Sequence, residues 1–197
     1  MDKDVKKIVL ATNNQHKLKE IRSIVGDKCN ILSLDDIGCH EDIPETADTI
    51  AGNAIMKASY IYKKYGVDCI ADDTGLEVEA LGGAPGVHTA RYASATQCDS
   101  KANMDLLLKN LEGVDNRKAR FVTVICMIEH GRKTLFEGIC QGSIADAPAG
   151  DNGFGYDPVF IPDATGRRFA QMTDEEKNQV SHRGKATRQL VEYLLKK

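Results

Sequence analysis

The sequence predicts an α/β fold, a mixed sheet flanked by helices, on three observations. Ile8-Val9-Leu10-Ala11 is a short β-branched apolar run, followed by a polar turn and then apolar residues at helical spacing. That order is the strand, turn, helix unit of α/β proteins. A second helical stripe over residues 49 to 65 leads through a glycine into another apolar strand. Finally, residues 119 to 129 and 134 to 145 are two long strand-like runs around His130-Gly131-Arg132, which reads as an antiparallel hairpin. Parallel βα units and hairpins in one chain make a sheet of mixed direction. At 197 residues the expectation is a single domain over 1–197.

The elements follow in order. After the first strand, Thr12-Asn13-Asn14-Gln15 breaks the run with capping residues, and Leu18, Ile21, Ile24 and Val25 continue as a helix that Gly26 ends. The second helix has Ala51, Ala54, Ile55, Ala58, Ile61, Tyr62 and Tyr65 on one stripe and Gly66 at its end. A strand over Asp68 to Ala71 runs into Asp72-Asp73-Thr74-Gly75, and Leu76 to Ala80 reads as a return strand. Leu81-Gly82-Gly83-Ala84-Pro85-Gly86 is a loop, and residues 100 to 111 form a helix with Met104, Leu107, Leu108 and Leu111 inward. Past the hairpin, residues 149 to 155 are glycine-rich. Asp157 to Ile161 is a short strand, and Pro158 suits it to a sheet edge. Thr173-x-x-Glu176 is a capping box opening a short helix, and the final helix runs from about Ser181 to Lys196 on Ala186, Leu190, Val191 and Leu194.

Composition excludes several classes of function. A net charge of −3 gives no footprint for a long polyanion, so no nucleic-acid polymer is expected as partner. The six cysteines show no CxxC pair and no metal-ligand spacing, as in a reduced cytoplasmic protein. The polar start Met1-Asp2-Lys3-Asp4-Val5-Lys6-Lys7 leads into only a short apolar stretch, so neither a leader nor a membrane span is expected.

Four segments carry chemistry. The turn Thr12-Asn13-Asn14-Gln15-His16-Lys17 opens a helix, where free N–H groups, the helix dipole and a lysine favour an anion; plain capping by Asn13 or Asn14 is the other reading. Asp72-Asp73-Thr74-Gly75 ends a buried strand, the place where open α/β sheets bind ligands. Adjacent carboxylates repel unless a divalent cation lies between them or one stays protonated, and magnesium suits one or two carboxylates plus phosphates; an acidic turn is the alternative. Glu45 could add a third carboxylate. Gly150-Asp151-Asn152-Gly153-Phe154-Gly155-Tyr156-Asp157 offers close backbone approach and two rings to stack on a planar ligand, or a tight loop whose rings are core. Lys177 and Ser181-His182-Arg183 add donors suited to phosphate oxygens or a base carbonyl. Together they describe a nucleoside triphosphate site with magnesium.

These residues also carry a resemblance. The chain resembles the inosine triphosphate pyrophosphatase family, hydrolases of non-standard purine nucleoside triphosphates. The motifs run in the family's order: Thr12 to Lys17, Glu45-Thr46 with Asn53-Ala54, Ala71-Asp72-Asp73-Thr74-Gly75-Leu76, Leu81 to Gly86, Ala90-Arg91-Tyr92, Phe154-Gly155-Tyr156-Asp157-Pro158, Glu176-Lys177-Asn178 and Ser181-His182-Arg183-Gly184. The resemblance implies an elongated mixed sheet, two lobes around a central nucleotide-binding cleft, and a homodimer. It implies cleavage of ITP, dITP or XTP to the monophosphate and pyrophosphate, with Mg2+ as cofactor. Asp73 would be the general base and, with Glu45 and Asp72, would hold the metal. Thr12, Asn13, Asn14, Gln15, His16, Lys17, Thr74 and Lys177 would hold phosphates and sugar. Phe154 and Tyr156 would stack on or wall the purine, Gly155 would be a further substrate-binding residue, and Asp157, His182 and Arg183 would read the purine edge.

Overall fold

The structure, a computed structural model, describes residues 6–196. The polar start up to Val5 therefore lies outside the described residues, as does Lys197. Seven strands form one sheet: β1 (Lys7–Leu10), β2 (Asn30–Leu32), β3 (Cys69–Val78), β4 (Pro85–Gly86), β5 (Lys118–Glu129), β6 (Arg132–Ile144) and β7 (Phe160–Pro162). Their order is β2-β1-β3-β5-β6-β7, with β4 paired to β3. β1 pairs in parallel with both β2 and β3, whereas β3–β4 and β6–β7 are antiparallel. The sheet is mixed, as the sequence predicts.

The helices are α1 (Gln15–Val25), α2 (Ile50–Tyr65), α3 (Ser100–Asn110), α4 (Asp174–Val180) and α5 (His182–Leu195). Helix α2 shows why its ends are readable in sequence. Thr49 is extended and its side chain accepts from Gly52 N–H, while Gly66 at φ 65° closes the far end. Ile50, Ala54, Ala58 and Ile61 make its buried stripe. Helix α4 has the expected box, Thr173 and Glu176 exchanging hydrogen bonds with each other's backbone N–H. In the β5–β6 turn His130 and Gly131 both have positive φ, 47° and 78°, as a two-residue type I′ hairpin requires.

Two compact units divide the chain, and β3, β5 and β6 each run from one into the other. The first comprises the residues up to Asp73, Thr123–Gly138 and the chain from Arg183. Its core joins Ile8 and Leu10 of β1, Ile21 and Val25 of α1, Ile70 of β3, Ile125 of β5, and Ala186 and Leu190 of α5. The second comprises Thr74–Val122 and Ile139–His182. It packs Leu76 and Val78 on Leu107 and Leu111 of α3, with Phe121, Tyr156, Phe160 and Phe169. Phe121 and Phe160 meet edge to face at 4.7 Å, the geometry aromatic quadrupoles favour.

The elements depart from expectation in four places, one of them β4, which lies in the Leu81–Gly86 segment expected as a loop. There is no return strand after Gly75: Cys69–Val78 is one ten-residue strand, with Gly75 buried inside it. Asp72 and Asp73 thus sit mid-strand rather than at a strand end. β2 has no counterpart in the sequence reading, since Asn30-Ile31-Leu32 is too short to show a period. The last strand starts at Phe160 rather than Asp157, which leaves Pro158 outside it, and it lies at the sheet edge.

Candidate active site

In the first unit the site grows from β1, α1, α2 and the middle of β3. Successive residues of a strand point to opposite faces, so neighbouring Asp72 and Asp73 have different surroundings. Asp72 is fully buried; its Oδ2 lies 3.1 Å from Lys17 Nζ and 3.3 Å from Arg183 Nε. Arg183 also pairs through Nη1 with Glu20 of α1. Burial alone would raise the Asp72 carboxyl, yet Lys17, Arg183 and Lys57 hold it well below the usual carboxylate range. The same burial pulls the Lys17 ammonium below its ordinary value, against the attraction of Asp72.

Asp73 meets the α2 side. Lys57 Nζ is 3.8 Å from Asp73 Oδ1, 2.5 Å from Glu45 Oε1 and 2.7 Å from the Asp72 carbonyl oxygen. Asn53 hydrogen-bonds Asp73, and its own Oδ1 accepts from Ala47 N–H at 2.9 Å. Burial pushes the Asp73 carboxyl above its ordinary value despite Lys57 and Lys17. Two carboxylates one residue apart are therefore shifted in opposite directions, the pattern that assigns a structural anion and a proton acceptor. Asp72 Oδ1 and Asp73 Oδ2 are buried with no hydrogen-bond partner among the described residues. Buried carboxylate oxygens in that state call for a further cation or donor.

At the α1 start Asn14 is the cap: its Oδ1 accepts from His16 N–H at 3.0 Å and Lys17 N–H at 3.2 Å. Thr12 Oγ1 accepts from Asn14 N–H at 3.1 Å. Asn13, Gln15 and His16 are exposed along this turn. Capping and the anion reading coexist here, because Asn14 satisfies two of the first N–H groups and leaves the helix dipole in place.

The second unit holds the aromatic group. Asp157 Oδ2 accepts from Phe154 N–H at 2.8 Å and from the buried Lys177 Nζ at 2.7 Å. That ammonium lies 4.9 Å from the centre of the Phe154 ring and 5.6 Å from that of Phe169. The carboxylate nests against Gly153, at φ 75°, where a Cβ would come within 2.0 Å of Asp157 Oδ2. Gly155, at φ 63°, turns the chain between the two rings. Those rings part company. Phe154 keeps a partly exposed face, while Tyr156 is buried in the core and donates its hydroxyl to Thr89 O at 2.8 Å. His182 is buried and stacks on Phe121 at 4.4 Å and 13°. Thr74 continues β3 into this unit, half-buried.

The candidate residues thus fall into two groups. The acidic group takes Thr12 to Lys17, Glu45, Asp72, Asp73 and Arg183; the aromatic group takes Thr74, Phe154 to Asp157, Lys177 and His182. The Ser181-His182-Arg183 motif is split, its histidine in the aromatic group and its arginine on Asp72 and Glu20. Lys57 and Glu20 fall outside the sequence motifs, and Asn53 lies in one that assigns it no role. Lys57 carried a signal, a lysine at helical spacing within the stripe of Ala54, Ala58 and Ile61. Another cluster that could hold a metal, Asp68, Glu129 and His130, already has a cation, since Lys6 pairs with Glu129 and lies 4.0 Å from Asp68.

Comparison with known proteins gives the same answer as the motifs. Residues 8–193 match the Ham1 family. The chain is 54% identical to a dITP/XTP pyrophosphatase of Flavobacterium psychrophilum, over 95% of this chain and 98% of that one. It is equally 54% identical to a dITP/XTP pyrophosphatase of Porphyromonas gingivalis, over 97% and 98%. The structure of the Staphylococcus aureus Ham1 protein superposes with a TM-score of 0.87 at 38% identity, over 97% of this chain and 99% of that one. A Ham1 protein from Coxiella burnetii gives 0.88 at 36%, over 98% and 100%. The chain belongs to the Ham1 family.

Proposed function

We propose that this Ham1-family chain hydrolyses non-standard purine nucleoside triphosphates (ITP, dITP and XTP) to the monophosphate and pyrophosphate, with magnesium as cofactor. The observation that carries the reading is the pair of neighbouring carboxylates on β3, one locked in ion pairs and the other raised by burial with an oxygen unpartnered. The relatives' names give two of these substrates, dITP and XTP.

Asp73 is the general base. It takes a proton from the water whose oxygen bonds to the α-phosphorus as the bond to the pyrophosphate oxygen breaks. Lys57 and Asn53 favour its ionised form and fix its orientation against the cost of burial. Glu45 and Asp73 would hold magnesium, and the unpartnered Asp73 Oδ2 is suited to such a cation. When bound, the ion neutralises charge on the phosphate oxygens. Asp72 faces the other way and acts through its ion pairs, holding Lys17 and Arg183 in place. The start of α1, with Thr12, Asn13, Gln15 and His16 around it, suits the phosphates.

The aromatic group suits the base. Phe154 offers its face, and Lys177 and His182 are the donors for a 6-keto oxygen, where adenine would present an amino group instead. A donor left facing a donor costs about 1–3 kcal/mol. Asp157 orients Phe154 and Lys177 through its two hydrogen bonds, and Arg183 belongs with the acidic group. Phe154→Ala should raise KM for ITP about tenfold, in line with about 1–3 kcal/mol per stacked base. Tyr156→Phe should leave KM unchanged and cost about 1 kcal/mol of stability, the loss of its bond to Thr89. Equal KM effects from the two would show that the ring assignment is wrong.

Pyrophosphate release across ITP, dITP, XTP, ATP and GTP, with and without Mg2+, tests the function. Release from the first three only with the metal is expected; release from all five alike would overturn it. We propose a cytoplasmic homodimer. Free cysteines support the compartment, five of them buried, and none of the described helices is long and apolar enough to cross a membrane.

A further inference from the structure

The chain between Gly38 and α2 has no regular structure: from residue 39 to residue 49 it runs back along the helix that follows it. Between the buried Cys39 and the buried Ile50 no residue is fully buried; Ile43 and Ala47 are half-buried, and the Ala47 methyl closes on Gly52 of α2, so core packing contributes little to holding this strap. What holds it is a line of polar pegs on α2. Ala47 N–H donates to Asn53 Oδ1 at 2.9 Å, and Thr46 Oγ1 lies 3.6 Å from Met56 Sδ. Lys57 takes Glu45 at 2.5 Å.

The far peg is Glu41. Its carboxylate accepts from Tyr60 Oη at 2.7 Å, from Lys64 Nζ at 2.6 and 2.7 Å, and from Tyr65 Oη at 3.1 Å. Lys64 also lies 5.7 and 5.8 Å from the centres of the two tyrosine rings. None of these groups belongs to the candidate active site. Lys57, Tyr60 and Lys64 follow one another at helical spacing, so the Glu41 and Glu45 pegs lie along one face of α2. Only Asp42-Ile43-Pro44 separates the two glutamates, and Pro44 fixes its own φ. With little core beneath it, the place of Glu45 depends on these pegs, of which Glu41 is the one on the N-terminal side of the strap.

We propose that Glu41 is a positioning residue, a latch on the last turn of α2 that holds the strap so that Glu45 stays beside Lys57 and Asp73. The metal-related part rests on the proposed role of Glu45; the latch itself stands on the geometry above.

The test has two arms on the full chain. In the first, amide hydrogen exchange is measured without metal in the native chain and in Glu41→Ala. The Ala47 amide should exchange at least about tenfold faster in the variant, with α2 amides unchanged; an unchanged Ala47 rate would overturn the latch whatever the metal does. In the second, Mn2+ binding is followed by the electron paramagnetic signal of the free ion. Glu41→Ala should weaken binding about tenfold, Glu41→Gln less, and Glu41→Ala should have no effect in a Glu45→Gln background. If Glu45→Gln alone weakens Mn2+ binding but Glu41→Ala does not, the latch does not serve Glu45 and the proposal falls. If Glu45→Gln changes nothing, it is the metal role of Glu45 that fails, and the exchange arm still decides the latch.

Discussion

Asp73→Asn is expected to lose about a thousandfold or more in kcat for ITP while folding normally, in the upper part of the range for removing a general base. The same substitution should also stabilise the protein at neutral pH. Burial raises the Asp73 carboxyl above its unfolded value, so its contribution to stability is fully present below that value and is lost as the pH rises through the folded pKa. At pH 7 the ionised carboxylate is therefore a net cost that the neutral amide does not carry. Thermal unfolding should give Asp73→Asn a higher midpoint than the native chain at pH 7, and the difference should shrink at pH 3.5. Near-native turnover would remove Asp73 from the base role. A lower midpoint at pH 7 would show instead that Asp73 is a structural anion like its neighbour. An inactive but more stable variant is the mark of a residue kept for function at a cost in stability.

What could be read from the chain beforehand follows from how local each signal is. Helix α2 was legible because Thr49 and Gly66 punctuate an unbroken stripe. The α4 box and the hairpin were legible because their chemistry spans only four residues and two. β3 was not, since Thr74-Gly75 reads as a turn, and only pairing with neighbouring strands keeps the chain extended through it. The identity of the candidate site residues was visible in the motifs, but their directions were not. In sequence Asp72 and Asp73 are simply an acidic pair, and strand alternation is what gives them different partners. Arg183 looked like a donor for a base, yet its Glu20 partner lies 163 residues away in sequence. Phe154 and Tyr156 differ in the same way: nothing within the glycine loop tells which ring turns to the core, and the carbonyl of Thr89 decides it.

Asp72→Ala is the substitution with the largest expected effect on stability. The carboxylate is fully buried between Lys17 and Arg183, whose side chains are 14% and 3% exposed. Removing it leaves Lys17 buried beside Lys57 and Arg183, the cations that already lower its pKa. Breaking a buried pair in this way costs about 3–5 kcal/mol, because the remaining charge has lost its compensation. The cost should depend on pH with a definite sign. The folded Asp72 carboxyl is depressed, so its stabilisation is complete above the unfolded value of about 3.9 and drains away as the pH falls towards the folded one. Urea unfolding of the native chain and the variant should differ by the full amount at pH 7 and by less below pH 4. Asp72→Asn, which keeps the volume, serves if the alanine chain does not fold. A gap that stays constant down to pH 3 would mean that packing rather than charge holds this position. The assignment of Asp72 as the anion behind Lys17 and Arg183 would then fail, and with it the contrast that singles out Asp73 as the base.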